Sequence, residues 1–119
     1  MSYQADKLDF DGLRYVNIKR CEELYFPLND WSPTDWACAL SGETGEACNK
    51  IKKLRRGDNI PLKDVADELA DIIIYVDLLA ARLKIDLEEA IISKFNEDTE
   101  KMSKKLNKTF PGNLHKLPY

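Results

Sequence analysis

Apolar residues recur at helical spacing through most of the chain, and proline and glycine cut the pattern into four blocks. The first runs over about 9–25, with Phe10, Leu13, Val16, Ile18, Cys21 and Leu24 partly in phase. A break follows at FPLNDWSP. Ser32 then reads as an N-cap, with Pro33 at the first helical position and Asp35 in the first turn, and the second block runs to about Leu54. RRGDNIP ends it. The third block, about 62–84, has the strongest pattern: Val65, Leu69, Ile72, Val76, Leu79 and Leu83 form a stripe that predicts the core face. Asp86 with Glu89 three residues later resembles a capping box and opens a fourth block, about 87–106. The tail, NKTFPGNLHKLPY, is irregular and suits either mobility or docking on a partner subunit. No segment alternates as a strand does, so the chain is predicted to be all-α, a four-helix-bundle-like unit.

Two stretches place acids where packing is expected. At about 100° per residue, Trp36, Leu40, Glu43, Ala47, Lys50 and Leu54 share one stripe of the second block, so Glu43 sits in an otherwise apolar line. Glu46 lies beside it, about 60° round. Gly42 and Gly45 flank these acids, and each weakens a helix by up to about 1 kcal/mol against alanine, which predicts close approach of a neighbouring helix. In the third block Glu68 lies on the flank of the apolar stripe, one turn from Asp71, and Tyr75 and Arg82 continue that flank.

If the two helices are antiparallel neighbours, four carboxylates converge. Repulsion and desolvation, several kcal/mol for each buried charge, would then raise their pKa values until some were neutral. A hard divalent cation removes the conflict, and Mg²⁺ suits an all-oxygen site that bridges to phosphate. The absence of nearby His or Cys argues against zinc. His115, in the tail, is the only histidine, which argues against the Glu-x-x-His set of a di-iron bundle. The plain alternative is a solvated helix face, with Glu46 and Lys50 as an i,i+4 pair worth a few tenths of a kcal/mol.

Length and composition narrow the setting. The 119 residues fit one domain spanning 1–119, and a chain of this size often gains stability by burying surface against copies of itself. Hydrophobic residues at 44% and charged residues at 33% place it among globular chains, and a net charge of −3 makes a nucleic-acid polymer an unsuitable default partner. Cys21, Cys38 and Cys48 are odd in number with no CxxC, which predicts small buried residues in a reducing compartment. The start, MSYQADKLDF, lacks the pattern of a signal peptide, and the longest apolar run, Ile72–Val76, is too short for a membrane span, so a cytoplasmic location is expected.

Three segments together, DWSPTDWACALSGETGEACNKIKKLRRGD, DVADELADIIIYVDLLA and KFNEDTEK, resemble the single-domain MazG-like nucleotide pyrophosphohydrolases of the all-α NTP pyrophosphatase superfamily. The resemblance covers about residues 30–102 and is strongest in the ordered EXXE and EXXD pairs; residues 1–29 and 107–119 lie outside it. It implies four-helix units assembled as dimers or dimers of dimers, and hydrolysis of a nucleoside triphosphate between the α and β phosphates in nucleotide-pool control. It implies Glu43, Glu46, Glu68 and Asp71 as Mg²⁺ ligands, with Mn²⁺ as a substitute, and Lys94 and Asn96 as substrate contacts. EDTEK is more acidic than the basic stretch of many relatives, leaving Lys101 as the remaining cation there.

Phosphoryl chemistry of this kind needs charge neutralisation and an in-line nucleophile. Water attack at the α phosphorus is expected, with Glu43 or Glu46 accepting the proton. Lys50, Lys53, Arg55 and Arg56 suit the outgoing pyrophosphate, or simply a helix end with favourable cations. Trp31 and Trp36 suit stacking on a base and equally suit core packing. Tyr75 suits a hydrogen bond near the acids or a place in the core. Two other functions fit the same residues: hydrolysis of another pyrophosphate-containing nucleotide of the phosphoribosyl type, and a non-catalytic helical oligomerisation or metal-binding module.

Overall fold

The structure, a computed structural model, describes residues 7–118; the reading of the chain start falls partly on residues outside that range. Among the described residues there are four α-helices and no strand: α1 Phe10–Arg20, α2 Pro33–Arg55, α3 Leu62–Arg82 and α4 Leu87–Leu106. Local chemistry sets their ends. The Asp9 carboxylate accepts from the Gly12 N–H at 2.7 Å and starts α1. Ser32 and Asp35 form a capping box at α2, with Pro33 inside the first turn. Asp86 caps α4 by accepting from the Glu89 N–H at 3.1 Å. The reciprocal half of the expected box is replaced by an ion pair from Glu89 to Lys116 at 3.5 Å.

The described residues divide after Lys84 into two compact units. In the first, α2 packs along α3, and α1 packs on α3. Cys21, Leu28, Trp36 and Leu78 are buried at its centre, with Ile18, Phe26, Trp31, Ile74 and Tyr75 against them. Trp36 is the hub: its Nε1–H donates to the Leu28 carbonyl at 3.2 Å, and its ring lies 4.6 Å from Trp31 and 5.8 Å from Phe26. Between α1 and Leu28 the chain makes a π-helical turn, Cys21–Tyr25, then a bend into a 3₁₀ turn, Leu28–Asp30. The wide turn changes the helical phase, so Leu24, expected on the packed face, is 73% exposed.

The apolar stripe of α3 is not its most buried face. Leu69 and Leu83 are about half exposed, whereas Glu68, Asp77, Leu78 and Ala80 are buried. The line Glu68, Asp71 and Tyr75, read from the sequence as a flank continued by Arg82, is turned into the first unit together with Leu78. Buried acids carry no hydrophobic signal, so periodicity points beside the true packing face. Asp77 is held by Arg14 Nε at 2.9 Å and Asn17 Nδ2 at 3.1 Å.

The second unit is α4 with the tail. Asn96 holds the tail in both directions: its Nδ2 donates to the Leu114 carbonyl and its Oδ1 accepts from the Leu114 N–H, each at 2.9 Å. Lys116 reaches Asp86 at 3.3 Å. The irregular tail is therefore docked on its own unit. Cys21 is buried as expected, but Cys38 and Cys48 are exposed, since they fall off the packed stripe of α2. No described helix is long and apolar enough to cross a membrane.

Candidate active site

The stripe of α2 and the inward line of α3 bring three acids together. Glu43, Glu68 and Asp71 each offer a carboxylate oxygen, and these oxygens all lie within 4.8 Å of one another. Glu68 is buried, and Glu43 and Asp71 are half-buried. Glu43 Oε2 and Glu68 Oε2 are enclosed and lack any hydrogen-bond partner among the described residues. Glu46 is exposed and stands outside this triad, although its charge acts on it.

The electrostatics divide the two glutamates. Burial raises the Glu43 pKa, and the negative charges of Glu46, Asp71 and Glu68 raise it further. Glu68 is lowered, first by the hydrogen bond from Lys50 at 2.7 Å, against the opposing effect of burial. Lys50 is raised by the same bond. Lys50 therefore forms a cross-helix bridge from α2 to α3, in place of the surface i,i+4 pair with Glu46 that its spacing suggests. Carboxylate oxygens accept only, so the two enclosed Oε2 atoms call for a donor or a cation. An all-oxygen donor set without His or Cys fits a hard divalent ion.

Gly42 and Gly45 do not admit a neighbouring helix: a Cβ at either meets nothing within 4 Å. Both are exposed, and Gly45 lies about 200° round α2 from Glu43.

Asp71 also lines a cavity of about 180 Å³ on the same side of α3. Its walls are largely aromatic, from Tyr25, Phe26, Trp31, Trp36 and Tyr75, with Asn17 and Arg20 as polar members. Arg82 fixes one wall by donating from Nε to the Trp31 carbonyl at 2.8 Å. Trp36 is 2% exposed and serves as core as well as wall, while Trp31 is half-buried. Burial raises the Tyr75 pKa, and Glu43 and Asp71 add to the shift, which places its hydroxyl within their field.

A family model described as the MazG nucleotide pyrophosphohydrolase domain matches residues 32–110. The chain belongs to the MazG nucleotide pyrophosphohydrolase family. It is also similar to dCTP pyrophosphatase 1 of Homo sapiens, 26% identical over 114 residues, covering 87% of this chain and 67% of that protein. The MazG match contains all four predicted acids, and it runs beyond the motif core into the tail as far as Phe110.

The remaining predicted residues are more dispersed. Lys53 is half-buried near the end of α2, Arg55 is exposed, and Arg56 pairs with Asp58 at 2.7 Å. Lys94 and Asn96 belong to the second unit, where Lys94 pairs with Asp98 at 3.0 Å and Asn96 holds the tail. Lys101, the remaining cation of that stretch, pairs with Glu97 at 3.0 Å. Sequence reading missed Asn17, Arg20 and the π turn, all preceding the MazG match. It also passed over Asp77, whose signal is an acid inside the apolar run IIIYVDLLAA.

Proposed function

We propose that the chain is a Mg²⁺-dependent nucleoside triphosphate pyrophosphohydrolase, converting a (d)NTP and water to the (d)NMP and pyrophosphate. The triad of Glu43, Glu68 and Asp71, with two enclosed and unpaired carboxylate oxygens, carries this reading. Glu43, Glu68 and Asp71, joined by Glu46 at the rim, would hold the ion. When bound, Mg²⁺, or Mn²⁺ in its place, supplies neutralisation of the triphosphate and a more acidic water. The residues of the chain do the rest. Water attacks the α phosphorus, and Glu43 or Glu46 accepts its proton.

The aromatic cavity supports a base beside Asp71, with Trp31 as the stacking face and Trp36 as its floor. Lys50 and Lys53 are the nearest cations along α2 for the departing pyrophosphate, and Lys94 and Asn96 enter as substrate contacts by family resemblance. The human relative named for dCTP supports a deoxynucleotide substrate. Action on the cytoplasmic nucleotide pool as a homodimer or homotetramer completes the reading.

The test is turnover of the eight common NTPs and dNTPs with Mg²⁺, scored as monophosphate plus pyrophosphate. Asp71→Asn is expected to lower kcat/KM by about 100-fold or more, the scale of losing an electrostatic group at a phosphoryl centre. Unchanged rates in that variant would remove the acids from the chemistry.

A further inference from the structure

Asn17 lines the aromatic cavity from α1 and is 3% exposed. Its Nδ2 donates to the Ile74 carbonyl at 3.0 Å and to Asp77 Oδ2 at 3.1 Å. Both partners only accept, so the amide has one orientation, and both of its N–H bonds are used. Arg14 locks Asp77 from the other side at 2.9 Å. Asn17 Oδ1 is left with no hydrogen-bond partner among the described residues. It is also absent from the fully enclosed unpaired oxygens, which are Glu43 Oε2 and Glu68 Oε2. It therefore keeps some solvent access, on a residue that lines the cavity.

An acceptor fixed among aromatic faces selects for a donor, because an unmet acceptor in such a place is unfavourable and a second acceptor facing it is worse. Cytosine, adenine and guanine carry an exocyclic amino group. Thymine and uracil carry keto oxygens instead, and their ring N–H is flanked by two of them, so bringing it to Oδ1 crowds three acceptors together. We infer that Asn17 is a specificity-determining residue whose Oδ1 accepts a hydrogen bond from the exocyclic amino group of the base. Triphosphates of amino-bearing bases are then preferred over those of thymine and uracil. Asp77 and Arg14 are positioning residues that hold the amide. This inference rests on the pyrophosphohydrolase reading and adds the base class to it.

The experiment compares kcat/KM of the wild-type protein, with Mg²⁺, for dCTP, dATP and dGTP against dTTP, dUTP and the matched analogues lacking the amino group. Those analogues are the 2-pyrimidinone, purine and hypoxanthine deoxynucleoside triphosphates. The best amino-bearing substrate should exceed its own analogue lacking the amino group, and dTTP, by about 10- to 100-fold, the scale of one hydrogen bond to a buried group. In Asn17→Ala, checked for folding by its thermal transition, that ratio should fall to within about 3-fold, a collapse that general destabilisation does not produce. The wild-type series stands even if the variant does not fold. Equal turnover of dTTP or the analogues lacking the amino group, or a ratio kept in a folded Asn17→Ala, would overturn the role of Asn17 alone. No turnover of any triphosphate would overturn the pyrophosphohydrolase reading and this inference with it.

Discussion

Asp77 and Glu68 are both buried acids on α3, and their surroundings are opposite. Asp77, 1% exposed, receives hydrogen bonds on both oxygens, from Arg14 and from Asn17. Glu68 has Lys50 on one oxygen and no hydrogen-bond partner on the other, and Glu43, in the same cluster, also keeps an unpaired oxygen. A fold that can saturate one acid has the means to saturate the next. The complete acid is part of the scaffold, and the incomplete one belongs to the proposed metal site. The distinction between a structural and a functional buried charge lies in the hydrogen-bond inventory rather than in burial.

The comparison breaks most visibly if the saturated acid is stripped of its cation. In Arg14→Met, Asp77 keeps only Asn17, and an uncompensated buried charge costs about 3–5 kcal/mol. The urea midpoint of unfolding should fall accordingly, and a midpoint near that of the wild type would mean that Asp77 is not the scaffold charge its contacts indicate.

The opposite outcome is expected at the unsaturated site. Glu43→Gln should lower kcat/KM by about 100-fold, which is about 2.7 kcal/mol of barrier. Without divalent metal the same variant should be more heat-stable than the wild type, because it removes one of several like charges. The pH dependence follows from the raised Glu43 pKa. A group whose folded pKa lies above its unfolded value adds stability that is fully present below the unfolded pKa and is lost as pH rises through the folded one. Glu68, lowered by Lys50, acts in the other sense: its contribution is present above the unfolded value and lost as pH falls through the folded one. The advantage of Glu43→Gln in melting temperature should therefore be small near pH 4 and grow toward pH 7, starting from the ordinary glutamate value of 4.5. Melting curves across that range check it, and a constant difference would separate Glu43 from the repulsion assigned to it.

These two acids also mark how far the sequence could be read. On α2, tryptophan, leucine and alanine frame Glu43, so its place on the packed stripe was visible from spacing. On α3, the acids occupy the packed line itself, and the leucines and isoleucines beside them drew the predicted core face away from it. The helix ends were legible because Ser32, Pro33 and Asp86 act through local bonds. The cavity was not, because Asn17 acquires its role from partners 57 and 60 residues away. Nor does any local signal in CEELY distinguish a π turn from the last turn of an α-helix.

The smallest effect is expected on the other side of α2, at the glycines that adjoin the acids. A methyl group at Gly45 meets nothing within 4 Å, and the backbone there is ordinary α-helix. Gly45→Ala should then stabilise the protein by up to about 1 kcal/mol through helix propensity alone. Chemical denaturation measures this, and turnover should stay at the wild-type level, since the added carbon faces away from the triad. A loss of stability, or a change in oligomeric state by light scattering, would instead reveal a surface closing over the glycines, most simply that of a second copy. The glycines would then separate the scaffold of one chain from the contacts of its assembly, as Asp77 and Glu68 separate scaffold from site.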